Sequence, residues 1–124
     1  MEYVNLLSAS DVQESLTAFA AKLFALVGIH DAVERESGNY PGGRYFRGSL
    51  EDLVFTISES DEEGHKDLPY WVQVTCEARS ADDLTRYVDQ LMQEKIIGQR
   101  FRVARMVNFG KRGEQRLDYP LVNH

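Results

Sequence analysis

Two periodicities alternate along this chain, and they predict two helices separated by strands. In the first predicted helix, apolar side chains recur every three or four positions, as on an amphipathic helix. Ser10 and Gln13 predict a capping box at its start, and Gly28 predicts a left-handed end. A second helix is predicted between Ser80, as N-cap, and Gly98. The buried stripe predicted for the first helix comprises Val12, Leu16, Phe19, Ala20, Leu23, Phe24 and Val27.

Between the helices and after the second one, the hydrophobic period falls to two, which indicates strands. Strands are predicted at residues 32–37, 44–47, 53–58, 69–77 and 101–109. Residues 2–7 are predicted to form an edge strand or an ordered arm, and residues 116–122 a tail that can pair as one more strand. Runs of strands between isolated helices favour an α+β fold. We therefore predict one α+β domain, residues 1–124, with a mainly antiparallel sheet of about five strands and two helices packed on one face.

The composition predicts a soluble cytoplasmic protein. Of the 124 residues, 43% are hydrophobic and 27% are charged, as in ordinary globular domains. The longest apolar run, residues 16–29, is interrupted by Lys22 and is shorter than the roughly 20 residues that a membrane span needs. The N-terminus has no basic region typical of a secretion signal. Cys76 is the single cysteine, which excludes an internal disulfide and fits a reducing compartment.

The charge is acidic and unevenly distributed. The net charge is -6, with 8 Lys/Arg against 18 Asp/Glu in residues 1–98 and 6 against 2 in residues 99–124. An acidic body attracts basic partners and opposes non-specific contact with nucleic acid. The arginines near the C-terminus could contact RNA phosphates, but the overall charge argues against a nucleic-acid partner. The alternative is that the basic tail neutralises the protein's own acidic sheet.

No residue pattern in the chain predicts catalysis, a metal or a cofactor. His30, His65 and His124 each lack a second histidine or a cysteine at metal-ligand spacing. The acidic loop at residues 61–67 does not follow the spacing of a helical calcium loop. Cys76 lies in a predicted strand beside valines, which is typical of a small buried side chain rather than a nucleophile. We therefore predict that the protein is not an enzyme.

Acidic and aromatic residues gather instead around the predicted middle strands. Carboxylates speed the encounter with a basic protein, and large aromatic side chains anchor the complex. This combination predicts a protein interface. The alternative is a solvated acidic surface whose aromatics belong to the core. The residues predicted to contact the partner are Glu34, Glu36, Tyr40, Asp61, Glu62, Glu63 and Asp67.

About a third of the chain resembles small bacterial immunity proteins. The similar stretches are Val-Glu-Arg-Glu-Ser-Gly-Asn-Tyr at 33–40, Gly-Arg-Tyr-Phe at 43–46 and Asp-Leu-Pro-Tyr-Trp at 67–71. Such proteins are cytoplasmic antidotes to the toxins of polymorphic or contact-dependent growth-inhibition systems. The resemblance implies a single acidic α+β domain that binds and neutralises a cognate toxin domain, often a basic nuclease. It carries over no binding residues, because these interfaces diverge quickly.

One arginine suggests an alternative function. Arg105 falls on the apolar-facing register of its predicted strand, and a buried arginine usually pairs with a carboxylate or an anionic ligand. This favours a small-ligand-binding or enzymatic domain with an anion pocket lined by Arg105, Tyr87 and Cys76. An internal acid such as Glu77 bound to Arg105 would remove the reason for that pocket. A subunit of a larger assembly is a further alternative, and the oligomeric state is left open.

Overall fold

Two helices lie against one antiparallel sheet in the computed structural model, which describes residues 1–121. Across those residues the strands are β1 (Glu2–Ser10), β2 (Val33–Glu36), β3 (Arg44–Leu50), β4 (Leu53–Glu59), β5 (Tyr70–Cys76), β6 (Phe101–Val107) and β7 (Gln115–Asp118). The helices are α1 (Leu16–Val27) and α2 (Ala81–Leu91), and a π-helical turn, Met92–Ile96, directly continues α2. The order of strands in the sheet is β2-β3-β4-β5-β1-β6-β7, and every neighbouring pair is antiparallel. No helix in this part of the chain combines the length and the apolar content needed to cross a membrane.

The α+β class, with two helices and a single antiparallel sheet, is confirmed, but the number of strands is wrong. In residues 1–121 the sheet has seven strands rather than about five. One additional strand comes from the tail, where β7 pairs with β6 at an edge of the sheet. Val122, the last residue of the predicted tail strand, lies outside the described residues, as does His124.

The second additional strand is β1, and its predicted position at an edge of the sheet is wrong. β1 lies in the middle of the sheet between β5 and β6, where Leu6 is opposite Val72 on one side and Arg105 on the other. Residues 4–9 are all buried because cores form on both faces of this strand. A strand buried on both faces lacks the alternation that marks a half-exposed one. Its central position depends on partners far away in sequence.

The first helix begins later than predicted. The capping box at Ser10 is wrong, because β1 continues to Ser10 through its pairing with β6. Ser15 is the N-cap, and its Oγ accepts a hydrogen bond from the Ala18 N–H at 3.1 Å. Val12 is 53% exposed and does not belong to the buried stripe. Gly28 ends the helix in the left-handed conformation with φ 87°, as predicted.

The second helix agrees with its predicted start. Ser80 is the N-cap, and its Oγ accepts from the Asp83 N–H at 3.2 Å. Asp82 and Asp83 lie in the first turn, where the helix dipole stabilises negative charge. After the π-helical turn, Gly98 adopts a φ of 93° and lets the chain reverse toward β6.

The main core lies between the helices and one face of the sheet, which we term the helix face. Phe19 of α1 is fully buried there, stacked on Tyr70 of β5 at 4.2 Å between ring centroids and edge-on to Phe101 of β6 at 5.5 Å. Leu84 and Val88 of α2 join the same core. Each such side chain stabilises the fold by about 1.5–3 kcal/mol through burial. Both helices therefore pack on one face.

The opposite face of the sheet, the open face, carries a much smaller core. Leu7 of β1 and Ala104 of β6 are buried there under Leu68. Leu68 belongs to the β4–β5 loop, residues 60–69, which folds across the open face. The rest of the open face is left to polar and aromatic side chains.

Gly48 lies close to the buried Ile29, so a larger residue at this position tests the packing directly. A Cβ at Gly48 would overlap Cγ2 of the buried Ile29 and lie 3.3 Å from Asp31 Oδ1. We expect Gly48→Ala to lower the free energy of unfolding by about 1–3 kcal/mol, the usual cost of overpacking. A Cβ at Gly64 would meet nothing within 4 Å, so Gly64→Ala should change the free energy of unfolding by less than about 0.5 kcal/mol. Urea unfolding measures both, and equal effects would contradict the packing described.

Candidate functional site

Four aromatic side chains form a row across the open face. Tyr40 stacks on Tyr45 at 4.4 Å between ring centroids and lies 6.1 Å from Trp71. Trp71 in turn lies 5.9 Å from Phe109. All four are half-buried, so each keeps a part of its ring accessible. We term Tyr45, Tyr40, Trp71 and Phe109 the aromatic row.

The loop between β2 and β3, residues 37–43, brings Tyr40 over the sheet. Its turn is closed by the Gly43 N–H, which donates to the Tyr40 carbonyl at 2.9 Å. Gly42 has a φ of 77°, a conformation that residues with a Cβ adopt only with strain. A Cβ there would also collide with the Glu59 carboxylate, which packs against this turn. The glycine thus permits both the turn and the approach of Glu59 to the aromatic row.

A buried amide network lies beside Trp71. Asn5 Oδ1 accepts from Trp71 Nε1 at 2.9 Å and from Gln73 Nε2 at 3.2 Å. Because the indole N–H can only donate, the atom that faces it must be the amide oxygen of Asn5, which fixes the orientation of both amides. Asn5 is only 8% exposed. Within residues 1–121, Asn5 Nδ2 and Gln73 Oε1 have no hydrogen-bond partner, and both reach solvent.

A groove of about 460 Å³ opens above this network. Its floor includes Asn5, Trp71 and Gln73, while Phe109 lies on one side and the β2–β3 loop on the other. Its lining includes three acidic residues, Glu59, Asp61 and Glu62, and no lysine or arginine of residues 1–121 lines it. None of the three forms an ion pair with any residue in 1–121. We term this site the open-face groove.

The structure brings only some of the predicted partner-binding residues to this groove. Asp61 and Glu62 lie on its rim, and Tyr40 belongs to the aromatic row beside it. Glu63 follows them but is fully solvated, paired only with Lys66 at 3.1 Å. The roles of these residues in binding stay predictions.

The remaining predicted residues lie elsewhere. Glu34 and Glu36 are on β2, the edge strand, and Glu34 pairs with Arg44 at 3.0 Å. Arg44 also donates to Thr17 Oγ1 of α1, which places this ion pair on the helix side. Asp67 is held by Arg116 through two hydrogen bonds of 2.9 and 2.8 Å. That arginine holds the pKa of Asp67 below its usual range.

Sequence reasoning missed half of the groove. Glu59 was counted among the acidic residues of the middle strands but not among the predicted partner contacts, because the period of two places it on the same face as Phe55 and Ile57. Asn5 belongs to β1, whose central position no local pattern indicates. Gln73 and Trp71 do share the polar face of the predicted strand at residues 69–77, which was the available signal.

Ion pairs fasten the β4–β5 loop to the end of the chain. Asp67 and Arg116 join the loop to β7, and Arg102 donates to the Asp67 carbonyl at 3.1 Å. His65 Nε2 lies 3.3 Å from Glu114 Oε2, next to the turn between β6 and β7. The Gly110 N–H and then His65 lower the pKa of Glu114. Two arginines of the basic tail are thereby occupied with holding the loop that forms the acidic rim.

Arg105, the centre of the alternative anion pocket, has an internal acid as partner. Its guanidinium donates to both oxygens of Asp89, at 2.8 and 3.3 Å, and the Tyr119 hydroxyl donates to the same carboxylate. Burial and this carboxylate raise the pKa of Tyr119 strongly. Asp89 thus takes the place expected for an acid such as Glu77. The reason for an anionic ligand at Arg105 is removed.

The other two residues predicted for that pocket lie away from Arg105. Cys76 is buried, and its thiol donates to Asp52 Oδ2 at 3.2 Å. Tyr87 lies beneath the Arg79 guanidinium, 4.2 Å from the ring centroid. Neither lines the same cavity as Arg105. Within residues 1–121, no three His, Cys, Asp or Glu side chains converge in a way that could hold a metal ion.

Comparison with known proteins adds no family to this description. Family models, curated proteins and solved structures all gave no match to the chain. The resemblance to bacterial immunity proteins therefore stays a prediction.

The contacts of Asp52 predict how the free energy of unfolding depends on pH. Arg79, bound through 2.9 and 3.0 Å contacts, and the Cys76 thiol lower the pKa of Asp52 from 3.8 to about 2. A lowered carboxyl pKa contributes stability that is fully present above the unfolded pKa and is lost as the pH falls through the folded one. We expect wild type to exceed Asp52→Asn in unfolding free energy at pH 5, with the difference vanishing toward pH 2.

Urea unfolding at each pH measures this difference. Asp61→Asn is the matched control, because Asp61 has no ion pair within residues 1–121 and its neutralisation should give no such convergence. A constant gap between wild type and Asp52→Asn from pH 5 to pH 2 would contradict the assigned contacts.

Proposed function

We propose that this protein is a protein-binding module that receives a basic protein partner in the open-face groove. In its more specific form, the proposal is that it acts as an immunity protein that binds and neutralises a cognate toxin domain. One observation carries the proposal: acidic residues without ion pairs in residues 1–121, Asp61 and Glu62 together with Glu59, line a groove that also includes Trp71. Aromatic anchors and complementary charge are the two features that most often supply affinity and encounter rate.

The aromatic row supports the anchoring half of the proposal. Half-buried tyrosine and tryptophan side chains lose little rotamer entropy on binding and present a large apolar surface. Trp71 is fixed by its strand, by the bond to Asn5 and by contacts with Tyr40 and Phe109. Such preorganisation reduces the cost of ordering side chains at an interface.

The rim carboxylates support the choice of a basic partner. Lysine and arginine of residues 1–121 line no part of the groove, so the formal charges among its lining residues are all negative. The whole chain has a net charge of -6, which adds to the attraction at long range. An anionic partner would meet like charges on the side of the groove that Asp61 and Glu62 line. A basic toxin domain such as a nuclease has the complementary charge that the specific form of the proposal requires.

Two charge-matched variants test the proposal. Asp61→Lys with Glu62→Lys reverses the rim, while Glu77→Lys with Glu94→Lys reverses two exposed acids outside the groove and changes the net charge by the same amount. Native cell extract is passed over each immobilised protein at low salt, and the partner captured by wild type is identified and its association rate measured. We expect a basic protein whose association rate falls about tenfold or more with the rim variant and changes less than about twofold with the control variant.

If the protein is an immunity protein, the same experiment should give two further results. The amount of captured protein should equal the amount of immobilised protein that binds it. The isolated toxin domain of the captured protein should lose its toxic activity when the complex forms. Equal binding to both charge-reversed variants would contradict the groove as the interface. Circular dichroism and thermal unfolding of the two variants exclude misfolding as the cause of a loss.

A further inference from the structure

The floor of the open-face groove has two unused hydrogen-bonding groups. Asn5 is 92% buried and its Oδ1 is occupied by Trp71 and Gln73, so its Nδ2 donors are free of partners within residues 1–121. Gln73 uses its Nε2 toward Asn5, which leaves its Oε1 as an acceptor. The donor-only indole of Trp71 enforces this arrangement. The floor therefore offers one amide donor beside one amide acceptor.

A main-chain peptide group is complementary to that pair. Its carbonyl accepts and its N–H donates, as in the ladder between neighbouring strands. Both groups reach solvent in the free protein, so a ligand that covers them must replace their water with hydrogen bonds. An extended segment also fits a groove that runs over strands between two loops. Recognition of extended segments through main-chain hydrogen bonds is a common mode of protein binding.

The walls specify the side chain of such a segment. A lysine or arginine extended along the Trp71 ring gains a cation–π contact and then reaches the acidic residues Asp61 and Glu62 of the groove lining. Arginine is favoured, because its flat guanidinium stacks on an aromatic ring and binds carboxylates with two hydrogen bonds. A phosphate or carboxylate group would be repelled by the same rim.

We infer that the open-face groove receives a short extended segment of the partner, whose main chain pairs with Asn5 and Gln73 and whose arginine or lysine lies between Trp71 and the rim carboxylates. This inference rests on the proposed function and specifies what the partner presents. It also assigns a positioning role to Asn5 and Gln73, which orient the segment.

Three capped peptides test the inference on the intact protein. Ac-Gly-Arg-Gly-NH₂ is compared with its citrulline analogue, which has nearly the same shape without the charge, and with the peptide N-methylated at the arginine, which cannot donate to Gln73 Oε1. Trp71 is the single tryptophan, so its fluorescence and its indole ¹H–¹⁵N resonance report on the groove without ambiguity. The side-chain amide resonances of Asn5 and Gln73 report on the floor.

We expect the arginine peptide to shift all three resonances. The citrulline analogue should bind about twofold to fivefold more weakly, as loss of a cation–π contact predicts. The N-methyl analogue should bind about twofold to tenfold more weakly, as loss of one main-chain hydrogen bond predicts. No shift at Trp71 with the arginine peptide, or equal binding of all three peptides, would overturn the inference.

Paired variants locate the effect. Asp61→Asn with Glu62→Gln should reduce the preference for arginine over citrulline to the part that the Trp71 ring contributes. Glu77→Gln with Asp82→Asn removes two carboxylates outside the groove and should leave the preference unchanged. If the rim variant kept the full preference, the assigned site for the cation would be wrong.

The peptide test and the capture test separate the two proposals. Capture of a basic protein that depends on Asp61 and Glu62, with no response to the arginine peptide, would keep the proposed function and overturn the segment. An arginine-selective response at Trp71 without any captured protein would support the groove as a site for a cationic segment and contradict the proposed protein partner.

Discussion

The two helices cover one face of the sheet, and loops cover only part of the opposite face. Phe19 and Leu84 fill the core on the helix face, and neither helix has a counterpart on the other side within residues 1–121. The β4–β5 loop supplies Leu68, and the turn after β6 supplies Phe109, to shield part of the open face. Because these loops meet through the contact between His65 and Glu114, they bound a groove instead of covering the sheet completely.

The central position of β1 determines the chemistry of that groove. Asn5 stands between β5 and β6, so a polar side chain from the start of the chain reaches Trp71 and Gln73 in the middle of the sheet. A buried amide in such a position must be hydrogen-bonded, and the indole N–H determines which atom of Asn5 is used. The same bond fixes the ring of Trp71. The strands therefore fix the floor of the groove.

Local patterns predicted the elements better than their arrangement. Ser80 begins a helix and Gly28 ends one, as their chemistry predicts, because both act through neighbouring residues. Ser10 has an equally good capping sequence, but its backbone pairs with β6, and tertiary pairing overrides a local propensity. The central position of β1 depends on residues about 70 to 100 positions away, which periodicity cannot reveal.

The acidic residues illustrate the same limit. Asp61 and Asp67 belong to one polar loop, yet Asp61 lines the groove while Asp67 is occupied by Arg116. Which carboxylates stay available to a partner depends on which of them the C-terminal arginines reach in the fold. Composition does not encode that arrangement. The sequence indicated an acidic, aromatic surface, and the fold determines which part of it is accessible to a partner.

A ¹H–¹⁵N spectrum of the protein bound to its captured partner tests the central claim most directly. The account predicts that the largest changes fall on the Trp71 indole and on the side-chain amides of Asn5 and Gln73. Changes confined to the helix side, around Thr17 and Arg44, with an unaltered Trp71 indole, would contradict it.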